Sequence, residues 1–154
     1  MNHGSIEVLN RKQILLSSEI IHLLQLENNS YDKIKEISRQ DFHEFCNEFG
    51  SKRKELMANI EDIFNLYGLG RLEIKEVDSK NKSAKLNLFN SSIAHVHLNK
   101  NKESGKAVCN LTCAVLSGIF SYLFDEDIDC REQRCYAKGD EFCQFVVKKR
   151  GVDR

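Results

Sequence analysis

The chain predicts an α+β fold in which an antiparallel four-stranded sheet packs against helices and one helix lies buried at the centre. Three observations predict it. Apolar residues recur at helical spacing as far as Tyr67, then alternate at strand spacing within 72–88 and again within 128–147. Between the two alternating regions runs segment 106–124, apolar nearly all round, which is the pattern of a helix covered on several sides. The order helices, hairpin, helix, hairpin belongs to an α+β domain with an antiparallel sheet.

The elements follow from local signals. Residues 12–26 carry Ile14, Leu15, Ile20, Ile21, Leu24 and Leu26 and read as a first helix. Asn28-Asn29-Ser30 interrupts it and supplies caps for the next. Tyr31 to Phe49 reads as a second helix with a break near Ser38, and Phe42, Phe45 and Phe49 share one face. Gly50 ends that helix, and Ser51 is the expected N-cap of a third whose stripe is Leu56, Met57, Ile60, Ile63, Phe64 and Tyr67. Gly68 and Gly70 stop it. Leu72 and Ile74, then Ala84, Leu86 and Leu88, alternate with polar residues on either side of the turn-rich Asp78–Lys82, predicting a hairpin with one buried face. Strands at about 128–136 and 142–147 form a second hairpin around Lys138-Gly139-Asp140.

At 154 residues the chain has the length of a single domain, 1–154, with enough material for a core. Its 23 basic and 23 acidic side chains cancel, so nothing in the balance attracts nucleic acid or an anionic membrane. No apolar run reaches the ~18 residues that span a bilayer, and the first residues lack the organisation of a signal peptide. The expected location is cytoplasmic. Six cysteines in a reducing compartment are more often ligands, redox groups or core residues than structural disulfides.

Chemistry concentrates in the second hairpin. A turn at Gly139 sets Cys135 and Cys143 opposite or nearly opposite each other, where Cβ atoms are about 4.5–5.5 Å apart, close enough to share one metal. Glu132 precedes Cys135 by three residues and in a regular strand would face the other way, so joint ligation requires a bulge or a strand end between them. A further thiol would come from the start of the central helix, Cys109, with Cys113 one turn later as its competitor. Three thiolates and a carboxylate would need compensation from peptide N–H groups or from Arg131 and Arg134. The spacing alone leaves three readings open: a metal site, a redox thiol pair, and buried packing residues.

The stretch Glu132-x-x-Cys135-x-Ala137-x-Gly139-x-x-x-Cys143-x-Phe145 resembles the C-terminal signature of the 4-vinyl-reductase domain family, hydrocarbon-binding sensor domains akin to TRAPP-complex subunits. Gly68-Leu-Gly70 before a strand, Asn90-Ser-Ser-Ile-Ala94, and Cys109 followed by Ser117-Gly118 extend the resemblance to about residues 35–147, leaving 1–34 as an N-terminal helical extension. The resemblance implies a closed zinc site on Cys109, Glu132, Cys135 and Cys143, an apolar ligand cavity between helices and sheet, and pairing as a homodimer. Nothing comparable to the DNA-binding or ATPase output domains of some members is present, so the chain looks like a stand-alone module with a small hydrophobic ligand and a possible protein partner. The family name implies a reductase. However, Gly68-Leu-Gly70 lacks the third glycine and following helix of a dinucleotide loop, and a closed four-ligand zinc has no position for substrate.

The candidate cavity residues are Phe45, Phe49, Tyr67, Leu111, Val115 and Phe120; each is also an ordinary core candidate, because aromatic and aliphatic stripes at helical spacing normally just pack. His95 and His97 alternate, and in a strand both would share one solvated face. The leading expectation is a zinc-stabilised binding module. A thiol redox sensor that releases zinc on oxidation is the alternative, and a reductase of vinyl or polyene substrates ranks third.

Overall fold

The computed structural model describes residues 6–8, 11–13, 15–27, 30–49, 52–100 and 107–151. Two short strands, β1 (Ile6–Val8) and β2 (Arg11–Gln13), pair with each other. Helices α1 (Ser18–Glu27), α2 (Tyr31–Phe49) and α3 (Arg53–Asn65) follow. Strands β3 (Arg71–Asp78) and β4 (Ser83–Phe89) form the first predicted hairpin. Helices α4 (Ser92–Lys100) and α5 (Asn110–Phe124) lead to β5 (Ile128–Arg134), a 3-10 turn (Tyr136–Lys138) and β6 (Cys143–Lys149). The sheet is antiparallel, in the order β3-β4-β6-β5, as the predicted α+β class requires.

The core lies between this sheet and the helices. Ala84, Leu86 and Leu88 on β4 and Cys143, Phe145 and Val147 on β6 point into it. Helix α5 packs on β5 and β6 with α2 laid along it. Its Leu116, Ile119 and Phe120 are fully buried, which bears out the central helix. Two small residues let α2 and α5 come close. A Cβ on Gly118 would stand 2.3 Å from the Lys35 carbonyl oxygen and 2.6 Å from Ser38 Cβ. Beside it, the hydroxyls of Tyr31 and Ser117 bond, and Tyr31 Oη accepts the Cys130 N–H at 3.1 Å, which ties α2, α5 and β5 together. Burial pushes the Tyr31 phenol up to about 12.

Four boundaries differ from the sequence reading. The first helix begins at Ser18, because Arg11–Gln13 pairs with Ile6–Val8. Helix α2 runs through Ser38 without a break, since Ser38 is buried against α5. Among the described residues α5 begins at Asn110, after an irregular approach at 107–109. His95 and His97 lie on a helix, not a strand: the Ser91 hydroxyl accepts the Ala94 N–H at 3.3 Å at the start of α4, and Ile93, Ala94, Val96 and His97 face inward. The predicted Gly50 stop and Ser51 cap lie outside the described residues. Helix α3 instead shows Lys52 at its cap position, with the Glu55 carboxylate accepting the Lys52 N–H at 3.1 Å.

Candidate metal centre

The hairpin β5–β6 supplies three of the four candidate groups, and its irregularity decides their direction. Strand pairing jumps from Glu132–Phe145 to Arg134–Gln144, leaving Gln133 as an extra residue. The sequence called for a bulge or a strand end here; the bulge is present and β5 ends at Arg134, so Glu132 and Cys135 can approach the same point. Beyond it, Gly139 takes a left-handed conformation (φ +99°) after the 3-10 turn, and the Asp140 carboxylate accepts the Cys135 N–H at 2.8 Å. The turn thus returns the chain with Cys143 facing Cys135, their sulfurs 4.0 Å apart.

The fourth group comes from the cap position of α5. Cys109 Sγ lies 3.7 Å from Cys143 Sγ, and the Cys109 N–H donates to Glu132 Oε2 at 3.0 Å. Ligand atoms of Cys109, Glu132, Cys135 and Cys143 all fall within 4.8 Å of one another. The three cysteines are fully buried. Tetrahedral zinc–thiolate bonds of about 2.3 Å place sulfurs about 3.8 Å apart, so the spacings of 3.7 and 4.0 Å match that size of ion. Glu132 Oε1 is buried and has no hydrogen-bond partner among the described residues, an atom that a cation would satisfy. These four residues could hold a metal ion.

The four groups also perturb one another's titration. The neighbouring Cys109 and Cys143 thiols stabilise a thiolate on Cys135 and hold its pKa well below the ordinary thiol range. Hydrogen bonding to Cys135 and then to Cys143, with burial, raises Cys109 far above that range. Cys143 is lowered by Cys109 but raised by Cys135 and by burial, and ends raised. Burial, then the Cys135 thiol, pushes Glu132 up to about 7, against the Cys109 N–H. A bound metal would ionise all three thiols. Compensation comes from backbone amides: Tyr136 N–H donates to Cys143 Sγ at 3.3 Å, and Val108 N–H to Cys135. Arg131 and Arg134 do not serve as expected. Both are exposed, and the Arg134 guanidinium lies 5.9 Å from the Phe142 ring centroid.

Cys113 is not in the cluster. It lies beside Cys130, where burial and this neighbour raise the Cys130 thiol. Of the candidate cavity residues, Phe120 is fully buried, and Phe45, Tyr67, Leu111 and Val115 pack half-buried against the core. The Phe49 side chain lies outside the described residues. None of them lines a cleft of about 530 Å³ that opens at the start of α4.

A buried histidine pair went unread in the sequence. His22 Nε2 and His97 Nδ1 are 2.8 Å apart and link α1 to α4. Residues Ile93, Val96, His97 and Lys100 share a helical face, which was the available signal for His97; His22 had none.

Comparison with known proteins agrees with this architecture. Residues 93–149 match the vinyl-4-reductase (V-4-R) domain, and all four clustered residues fall inside the match. The resemblance to the 4-vinyl-reductase domain family is thus borne out. An uncharacterised protein of Methanocaldococcus jannaschii is 25% identical over 96 residues, 62% of this chain and 52% of its own length, so the match spans about half of that relative. Among solved structures, the phenol-responsive sensory domain of the transcription activator PoxR, crystallised with phenol, superposes with a TM-score of 0.78 at 18% identity, covering 97% of this chain and 82% of that one. A vinyl-4-reductase family protein of Methanocaldococcus jannaschii gives 0.65 at 19% identity over 88% and 83%. A trafficking protein particle complex subunit 3 of Naegleria fowleri, covalently bound to palmitic acid, gives 0.54 at 12% over 87% and 82%. These solved structures share the fold of this chain.

Proposed function

We propose that this chain is a small-molecule sensor module in which a zinc ion, held by Cys109, Glu132, Cys135 and Cys143, fastens the second hairpin to the start of the central helix. The observation that carries the metal is the convergence of those four ligand atoms within 4.8 Å in a buried place. With four protein ligands the ion would be structural, acting as a cross-link between α5 and the β5–β6 turn. The sensing role draws on the vinyl-4-reductase domain match and on the fold shared with a phenol-responsive domain. Its ligand would be a small hydrophobic molecule seated among Phe45, Phe49, Tyr67, Leu111, Val115 and Phe120. The exposed apolar residues Leu15, Leu16, Ile20, Leu23 and Leu24 before and on α1 support pairing with a second copy. Such a protein would work in the cytoplasm, where its thiols stay reduced.

Elemental analysis of chelator-free protein tests the metal half of this reading. One zinc per chain is expected, with three thiols becoming reactive only after chelation; metal-free protein with uniformly reactive thiols would refute it. Titration with phenol tests the ligand half.

A second reading has its own observation. The sulfurs of Cys109, Cys135 and Cys143 are adjacent, and Cys113 neighbours Cys130. Oxidation by a peroxide, reduced to water as two thiols form a disulfide, would expel the metal and make the module a redox sensor. Reversible zinc release by peroxide without ligand distinguishes it.

A further inference from the structure

The cleft of about 530 Å³ is separate from the residues assigned above to an apolar ligand. It opens between the start of α1, the first turns of α4 and the β5–β6 turn. Its volume is within the range of sites that enclose small molecules. Three rings stand in a lining otherwise made mostly of serine, asparagine and glutamate. The rings of His95 and Tyr136 lie within 19° of parallel, with centroids 6.4 Å apart, and Phe142 stands beside them. Glu19 from α1 and Glu141 from the turn bring two carboxylates to it, and among the described residues no lysine or arginine lines it. Among the described residues neither carboxylate has an ion-pair partner.

That combination selects the charge of a guest. Ring faces carry negative quadrupole density and attract cations, and the two carboxylates act in the same sense. The starts of α1 and α4 oppose them, each with the equivalent of about half a positive charge. That of α4 is blunted, because the Ala94 N–H is taken by the Ser91 hydroxyl and the Ser92 N–H by the Leu69 carbonyl at 3.1 Å. Two full negative charges outweigh the two partial ones. An anionic guest would meet repulsion, and a wholly apolar one would leave the two exposed carboxylates without a counter-charge.

We propose that this cleft binds a small organic ammonium ion bearing an aromatic group, its charge countered by Glu19 and Glu141 and its ring laid against Tyr136 and Phe142. This deepens the sensor reading by adding a second ligand class. It also reaches the cysteine cluster through two residues. Ser91 lines the cleft with its hydroxyl 3.5 Å from Cys109 Sγ, and Tyr136 lines it while its N–H bonds Cys143 Sγ. A guest in the cleft therefore presses on neighbours of the proposed metal rather than on the apolar core.

Calorimetric titration of the full chain with 2-phenylethylammonium, 2-phenylethanol and phenol in parallel tests it. The ammonium should bind at least tenfold more tightly than the alcohol. The Glu19→Gln/Glu141→Gln double variant should lose that preference while melting at the parent temperature, and Glu141→Gln alone should lose part of it. No ammonium binding, equal binding of the alcohol, or a preference that survives both substitutions would overturn the assignment. Phenol binding without ammonium binding would sink the cleft and leave the sensor reading standing. Ammonium binding without phenol binding would keep the cleft and remove the apolar ligand.

Discussion

The sulfurs of Cys109 and Cys143 lie 3.7 Å apart across a separation of 34 residues, one at the cap of α5 and the other at the first position of β6. A helix terminus and a strand terminus are held at that distance by the bulge at Gln133 and by the amide of Cys109 on Glu132. If a zinc ion completes the arrangement, its binding free energy is folding free energy. Cys143→Ser or Cys135→Ser should then lose the metal and about 3 kcal/mol of stability, the amount a ligand supplies at a hundredfold excess over its Kd. For a chain of this length that is a fall of roughly 6–12 °C in melting temperature. Metal content and thermal unfolding should drop together; unchanged zinc in either variant would remove that residue from the set.

Cys109 and Cys113 sit one helical turn apart, yet the structure separates their roles. Cys109 faces Cys143, whereas Cys113 faces Cys130. Cys109→Ser should abolish stoichiometric zinc, and Cys113→Ser should retain it. Cys46→Ala, in the core and away from the cluster, should also retain it. Elemental analysis of the three purified variants decides. Zinc lost from Cys113→Ser and kept in Cys109→Ser would reverse the assignment.

Much of this was legible because the relevant pairings are local. Cys135 and Cys143 belong to one hairpin, and the wrong parity of Glu132 was enough to call for a bulge or a strand end, both of which lie between Glu132 and Cys135. Helix α4 was not legible. Ala94, Val96 and Leu98 alternate with His95 and His97, so five of its nine residues satisfy a strand period as well as a helical one, and packing against α1 and the β5–β6 turn decides between them. Strands β1 and β2 have three residues each, too few to show any period. The cleft draws its walls from α1, α4 and the turn, and no sequence pattern records such a meeting.

Gly118 offers a test of the α2–α5 contact that is independent of metal and ligand. An added methyl would come within 2.3 Å of the Lys35 carbonyl oxygen and 2.9 Å of the Arg39 amide nitrogen, both backbone atoms of a helix that cannot yield locally. Helix propensity favours alanine by about 1 kcal/mol, but forcing a buried helix pair apart costs typically 1–3 kcal/mol and here sits at or above the top of that range. Gly118→Ala should therefore destabilise by about 2 kcal/mol or more in chemical denaturation. A neutral or stabilising result would show that the two helices are not packed this closely.

The histidine pair predicts a dependence on pH. His22 is buried, and its outer nitrogen Nδ1, like His97 Nε2, has no partner among the described residues. One ring donates and the other accepts, an arrangement that requires at least one neutral ring. Burial first, then His97 and Lys100, lowers the His22 pKa from 6.5. The unfolded chain consequently takes up this proton more readily than the folded one at pH values between the lowered pKa and 6.5. Stability is full above about pH 6.5 and declines as pH falls below it, by at most about 1.4 kcal/mol per unit for one proton. Asp129 and Glu73 have lowered pKa values, so their contributions fade only at more acid pH, and Glu132, raised to about 7, is common to parent and variant and cancels from their difference. His22→Gln should remove the decline, so the difference in melting temperature between parent and variant should narrow as pH drops from 7.5 to 5. A difference that stays constant over that range would show that the His22–His97 contact carries no proton linkage.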